Sequence, residues 1–103
     1  PEGLSEMLGF EFEDLTSENR ETFGLDQDVD GVLIVKSLPQ SDAEEKGIRA
    51  GHRIVEVNQQ PIYSAAELRA LLGTAIETGR EVILLKIADP VGNRRFVAIR
   101  LNK

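Results

Sequence analysis

The run Gly31-Val32-Leu33-Ile34-Val35-Lys36-Ser37 constrains this chain more than any other stretch. Successive strand residues point to opposite faces, so a run that is apolar at both parities predicts a central strand covered on both sides. Leu38-Pro39-Gln40 breaks it. A second dense run, Glu81 to Ile87, is followed by Asp89-Pro90-Val91-Gly92-Asn93 and then by Arg94 to Leu101, which predicts a hairpin. Arg53 to Asn58 reads as another strand, with Asn58-Gln59-Gln60-Pro61 as its exit turn. Phe10 and Phe12 alternate with Glu11 and Glu13, which predicts a half-buried strand ending near Leu15.

Helices are announced by their ends. Thr16 or Ser17 can cap a helix of about two turns that stops at Gly24, pinned to the core by Leu15 and Phe23. Ser41 or Asp42 caps a shorter one through Lys46, ended by Gly47, after which Ile48 enters the core. Ser64 and Glu67 form a capping box that opens the longest helix, Ala65 to about Ile76, closed by Thr78-Gly79. Leu68, Leu71 and Ile76 are expected to face the core, with Ala65, Arg69 and Leu72 as an adjacent, incompletely buried stripe. Gly73 weakens that helix by about 1 kcal/mol relative to Ala and marks a place to fray or bend. Ile62 or Tyr63 adds an apolar contact, and Ser5 belongs to an irregular or capping lead-in.

The 103 residues suffice for one core, so residues 1–103 are expected to be one domain with its core at about 7–101, and the two ends suggest a domain excised from a longer chain. No apolar run is long enough to cross a bilayer, and no basic-then-apolar leader is present. The net charge of −6 argues against a nucleic-acid partner. Residues 1–30 carry ten acids and one base, Arg20, which predicts a solvated acidic face or a docking surface for a basic partner. Without Cys there are no disulfides, thiolate metal sites or Cys nucleophiles. The one His, His52, reads as an exposed turn residue and leaves no base for a Ser/His/Asp set. No catalytic residue, metal ligand or cofactor is therefore assigned.

Met7-Leu8-Gly9-Phe10 is a small apolar turn opening onto the first strand. Its successive amides can converge on an anion without a basic side chain, or it can be an ordinary strand start with a Gly for flexibility. The layout of five to six strands with two to three helices is α+β, a small sandwich or partly open barrel.

Residues Gly31 to Ile62 resemble the signature of a PDZ domain: a Gly-started strand, a small helix ending in Ala-x-x-x-Gly-Ile (Ala43 to Ile48), an Ile-containing strand after Gly51, and a Val57-Asn58 turn reaching Pro61. The likeness extends from Leu8 to Leu101. With Leu8-Gly9-Phe10 first and Arg94–Leu101 last, the order resembles the permuted bacterial arrangement, in particular the second PDZ domain of HtrA/Do-type (DegP-like) serine proteases. Two departures stand out: His52 occupies a position where the family usually has Asp, and Gln60 one where Gly is common.

The resemblance implies a groove in which a peptide adds as an antiparallel strand. The amides of Leu8, Gly9 and Phe10 would hold its carboxylate, and the main chain from Phe10 through Glu11 to Phe12 would pair with it. Leu8, Phe10 and Leu72 would line the pocket for its last side chain, and Ala65 and Arg69 would choose what lies further up. Arg69 reads equally as a solvated helix charge, and Glu11, Glu13 and Asp14 as the wet side of the strand. The expected function is a non-catalytic module of a periplasmic serine endoprotease, taking C-terminal or extended segments of unfolded substrates. Its expected partners are those segments and other domains of the same oligomer, with neither nucleic acid nor membrane insertion. The alternatives are an assembly element packed on other PDZ or protease domains, or a PDZ domain of another bacterial protease or secretion component.

Overall fold

The computed structural model describes residues 3–101. Six strands, β1 (Phe10–Asp14), β2 (Val32–Ser37), β3 (Arg53–Val57), β4 (Gln60–Pro61), β5 (Val82–Ala88) and β6 (Arg94–Arg100), form one antiparallel sheet in the order β1-β2-β3-β5-β6, with β4 paired to β3. The sheet is open, and its first and last strands are its two ends. Four helices accompany it among the described residues: α1 (Leu4–Leu8), α2 (Ser17–Thr22), α3 (Asp42–Glu45) and α4 (Ala65–Glu77). Three were expected; α1 stands where the sequence suggested only a lead-in. The α+β class and the permuted order agree with expectation.

The core follows the period-2 pattern. Val32, Ile34, Ile54, Val57, Ile83, Leu85, Ile87, Val97 and Ile99 are buried from the sheet, and Leu68 and Leu72 from α4 close over them. Leu33, on the other face of β2, is also fully buried, as its doubly apolar run predicts. In α4 the buried stripe is Ala65, Leu68, Leu72 and Ala75, whereas Leu71 and Ile76 are only partly covered. The expected division of that helix was thus rotated by about one residue. Ile62 is buried and Tyr63 exposed, and His52 is half-buried rather than exposed.

Local signals set the ends of most elements. Thr16 accepts from the Asn19 N–H while Asn19 reaches back to the Thr16 N–H, a reciprocal capping box that starts α2. At α4, Ser64 accepts from the Glu67 N–H, but Glu67 reaches one residue further back, to the Tyr63 N–H at 3.0 Å. After β3 the left-handed residues are Asn58 and Gln59, with φ of 49° and 67°. Gln60 is in β4, so the position that would favour Gly is Gln59. His52 Nδ1 accepts from the Arg49 N–H at 3.2 Å, bonding the turn in place of the usual Asp. The acidic loop after α2 is held by its carbonyls: Arg20 donates to those of Asp26 and Val29, and the buried Arg53 to that of Asp30.

An open sheet leaves unpaired backbone groups at its edges, which invite another strand. One end of the β6 edge, at Ala98 and Arg100, is met by α3 and the residue that follows it. Asp42 Oδ2 accepts from the Arg100 N–H at 2.8 Å, Lys46 Nζ donates to the Ala98 carbonyl, and the two side chains pair with each other at 2.9 Å. The Arg100 N–H is the main cause that holds the Asp42 carboxyl below its usual value of 3.8, with Lys46 adding to it.

Two outcomes follow for stability. Because the folded state binds the charged form of Asp42 better, its contribution is complete above pH 3.8 and is lost as pH falls below that value. Asp42→Asn is therefore expected to unfold more readily at neutral pH and to show a flatter acid limb, read by denaturant titrations across the pH range. A Cβ at Gly73 would meet nothing within 4 Å. Gly73→Ala is expected to raise stability by up to about 1 kcal/mol in urea unfolding.

Candidate functional site

The turn before β1 is built around Gly9. Its φ of 88° lies in the left-handed region, and a Cβ there would come within 2.7 Å of the Ser41 Cβ. Both facts require Gly. The Ser41 hydroxyl lies 3.1 Å from the Gly9 carbonyl and 2.8 Å from that of Leu38, sharing its one proton between them, and accepts from the Glu44 N–H. One side chain thus caps α3 and fixes the turn. The sequence marked Ser41 only as a cap, because nothing local reveals a contact 32 residues away. The Leu38 N–H completes the clamp by donating to the Gly9 carbonyl at 2.8 Å.

On the sheet path β1 pairs with β2 alone, so its other side is a free edge. Phe12 stands opposite Ile34, whose N–H and C=O are both turned toward β3, bonded to the His52 carbonyl and the Gly51 N–H. The Phe12–Ile34 pair is therefore a non-hydrogen-bonded one, and the N–H and C=O of Phe12 point out from the free edge. A bulge between Glu11 and Phe12 shifts the register there. Phe10 is fully buried at the start of β1, and its ring meets that of Phe12 edge-on at 6.2 Å.

Helix α4 is tied to this edge at two places. The Arg69 guanidinium lies 5.4 Å from the Phe12 ring centroid, a cation–π contact across the two elements. Asp14 Oδ1 accepts from the Ala65 N–H at 2.6 Å, capping the first turn of α4 from the end of β1. Asp14 is thus no mere wet residue of the strand: it joins the two walls of the groove. Alternation along β1 gave no sign of this, because its partner is 51 residues away.

The expected residues divide accordingly. Phe12, Ala65 and Arg69 line or join the β1–α4 interval, whereas Leu8, Phe10 and Leu72 are at most 1% exposed. Glu11 is turned outward, 4.0 Å from Lys36. Leu8 ends α1, and the Gly9 N–H already donates to the Ser5 carbonyl at 2.7 Å. No group of three or more His, Cys, Asp or Glu among the described residues could hold a metal ion.

Gly9→Ala is expected to lose about 2–4 kcal/mol, from a left-handed backbone and a steric clash together. Ser41→Ala, which removes the hydroxyl and its 3.0 Å approach but keeps the Cβ that makes the clash, is expected to lose about 1–2 kcal/mol on its own. The double variant is expected to be more stable than the sum of the two losses predicts, and denaturant titration of all three measures the coupling.

The comparisons with known proteins agree with this geometry. A PDZ domain family model matches residues 33–88. Among curated proteins, a probable periplasmic serine endoprotease DegP-like of Brucella suis biovar 1 (strain 1330) is 33% identical over 90 residues, covering 84% of this chain and 17% of that protein. One of the same description from Marinomonas sp. (strain MWYL1) is 41% identical over 66 residues, or 64% and 14% of the two chains. The chain thus spans about one sixth of the length of these relatives. Among solved structures, the HtrA3 PDZ domain bound to a phage-derived ligand (FGRWV) superposes with a TM-score of 0.70 at 21% identity, covering 92% of this chain and 83% of that one. With a family match over more than half its length, and with the strand order and clamped turn described above, the chain belongs to the PDZ domain family.

Proposed function

We infer that this chain is the peptide-binding module of a periplasmic DegP-like serine endoprotease, a single PDZ domain with its core at about residues 7–101. The observation that carries the reading is the asymmetry of the two sheet edges. At β6 Asp42 and Lys46 take the Arg100 N–H and the Ala98 carbonyl at one end of the strand, whereas at β1 the outward backbone of Phe12 faces an interval walled by α4 through Arg69 and Ala65. An extended chain can add where backbone groups are free. A PDZ domain is a non-catalytic module, so peptide-bond cleavage belongs to another part of the parent protease. The names of the curated relatives support both the parent and its compartment.

In this reading the amides of Leu8, Gly9 and Phe10 receive a peptide carboxylate, and Phe10, Glu11 and Phe12 supply the strand that pairs with the peptide. Leu8, Phe10 and Leu72 surround its terminal side chain, with Ala65 and Arg69 along the helix wall. The ligand of the solved HtrA3 domain ends in Val, which supports an apolar terminal residue. A few main-chain bonds at roughly 0.5–1.5 kcal/mol each and one apolar side chain at roughly 1.5–3 kcal/mol must offset the ordering of the peptide. Free peptides are therefore expected to bind at micromolar affinity at best, and several linked domains acting on one substrate would tighten it.

A second reading, an assembly element packed on other domains, is favoured by the burial of Leu8, Phe10 and Leu72, each at most 1% exposed. An amide-resolved NMR titration with apolar-ended peptides separates the two. Shifts at Leu8, Gly9, Phe10 and the Ala65–Leu72 face that vanish when the peptide is amidated are expected. No shifts at millimolar peptide would sink the peptide-binding reading and leave the assembly role.

A further inference from the structure

The turn before β1 is already engaged by α1. The Gly9 N–H, one of the three amides a carboxylate needs, is spent on the Ser5 carbonyl at 2.7 Å, and the Met7 N–H on that of Gly3 at 3.0 Å. Leu4 and Leu8 are 5% and 1% exposed and belong to the same buried cluster as Phe10 and Leu72, so α1 is packed into the core. The first turn of α1, Gly3 to Glu6, borders a cleft of about 370 Å³ together with Glu11, Phe12, Glu13 and Arg69, which places it beside the free edge of β1.

The ends of α1 do little to hold it. It has five residues, its N-cap is Gly3 with no side-chain bond, and its last turn lacks a basic residue. Helices this short have no stability of their own and persist only through packing. Here the packing rests on Leu4 and Leu8, with Met7 partly buried against the same cluster.

We propose that α1 is a self-blocking segment of the peptide groove, and that a peptide carboxylate gains the Gly9 N–H only when the Leu4–Leu8 turn unwinds. The proposal rests on the peptide-binding reading above and concerns its regulation: the fraction of molecules with α1 open sets the apparent affinity. Any partner or upstream chain that draws Leu4 out of the core would raise that affinity without touching β1 or α4.

The test uses the peptide Phe-Gly-Arg-Trp-Val with a free carboxyl and isotope-labelled protein. In the wild type, the Cα shifts of Ser5 to Met7 are expected to move from helical to coil values on saturation, in step with the Gly9 amide. Leu4→Gly is expected to bind about 10-fold tighter if α1 is open about a tenth of the time in the wild type. If that variant does not fold, the wild-type Cα shifts decide alone. Helical shifts that persist in the saturated complex, or equal affinity for a folded Leu4→Gly and the wild type, overturn the proposal and leave the peptide-binding reading standing. Binding by neither protein overturns both.

Discussion

An open antiparallel sheet must dispose of the backbone groups on its two outer strands, and the rest of this domain is arranged around how it does so. An exposed edge is both a liability and an opportunity, because the same unpaired N–H and C=O groups nucleate aggregation and accept a ligand strand. One end of the β6 edge is met by Asp42 at the start of α3 and by Lys46 just after it, already held as an ion pair one turn apart. An exposed ion pair by itself contributes little. Its value here is that each member also satisfies a backbone group of β6.

The β1 edge is kept usable by long-range ties. Ser41 fixes the turn through the Gly9 carbonyl, and Asp14 fixes the mouth of α4 through the Ala65 N–H. Each such bond is worth on the order of 1 kcal/mol net, yet together they hold a strand and a helix at a set separation. Arg69 over Phe12 adds a contact in the middle of the interval. The groove is thus bounded at both ends and bridged between them, and a ligand strand would exchange the Arg69–Phe12 contact for its own side chains.

Charge follows the same division. The acids concentrated in residues 1–30 include Asp14 and Glu13, which bond the Ala65 N–H and the Asn19 side chain, while Arg20 and Arg53 hold the following loop through its carbonyls. Part of what reads as a solvated acidic face is therefore structural. The Arg53 Nε is buried with no hydrogen-bond partner. An unsatisfied buried donor is costly, and here it accompanies the bond that anchors the Asp30 carbonyl to β3.

The sequence by itself determined the elements, most of their ends and the family resemblance. Periodicities of 2 and 3.6, capping pairs three residues apart and left-handed turn positions are local properties, legible wherever neighbouring residues carry the signal. The central strand at Val32–Ser37, the hairpin of β5 and β6 and the capped α4 were legible for that reason. Only the tertiary structure decided that Leu72 rather than Leu71 is buried, that Asp14 caps α4, that Ser41 clamps Gly9 and that Asp42 and Lys46 meet one end of the far edge. Those contacts join residues 32 to 58 positions apart, and no local pattern specifies which of many polar side chains the folded sheet will bring within bonding distance. The turn before β1 is of the same kind: the family resemblance implied amides at Leu8, Gly9 and Phe10 open to an anion, and the folded chain bonds the middle one to the Ser5 carbonyl.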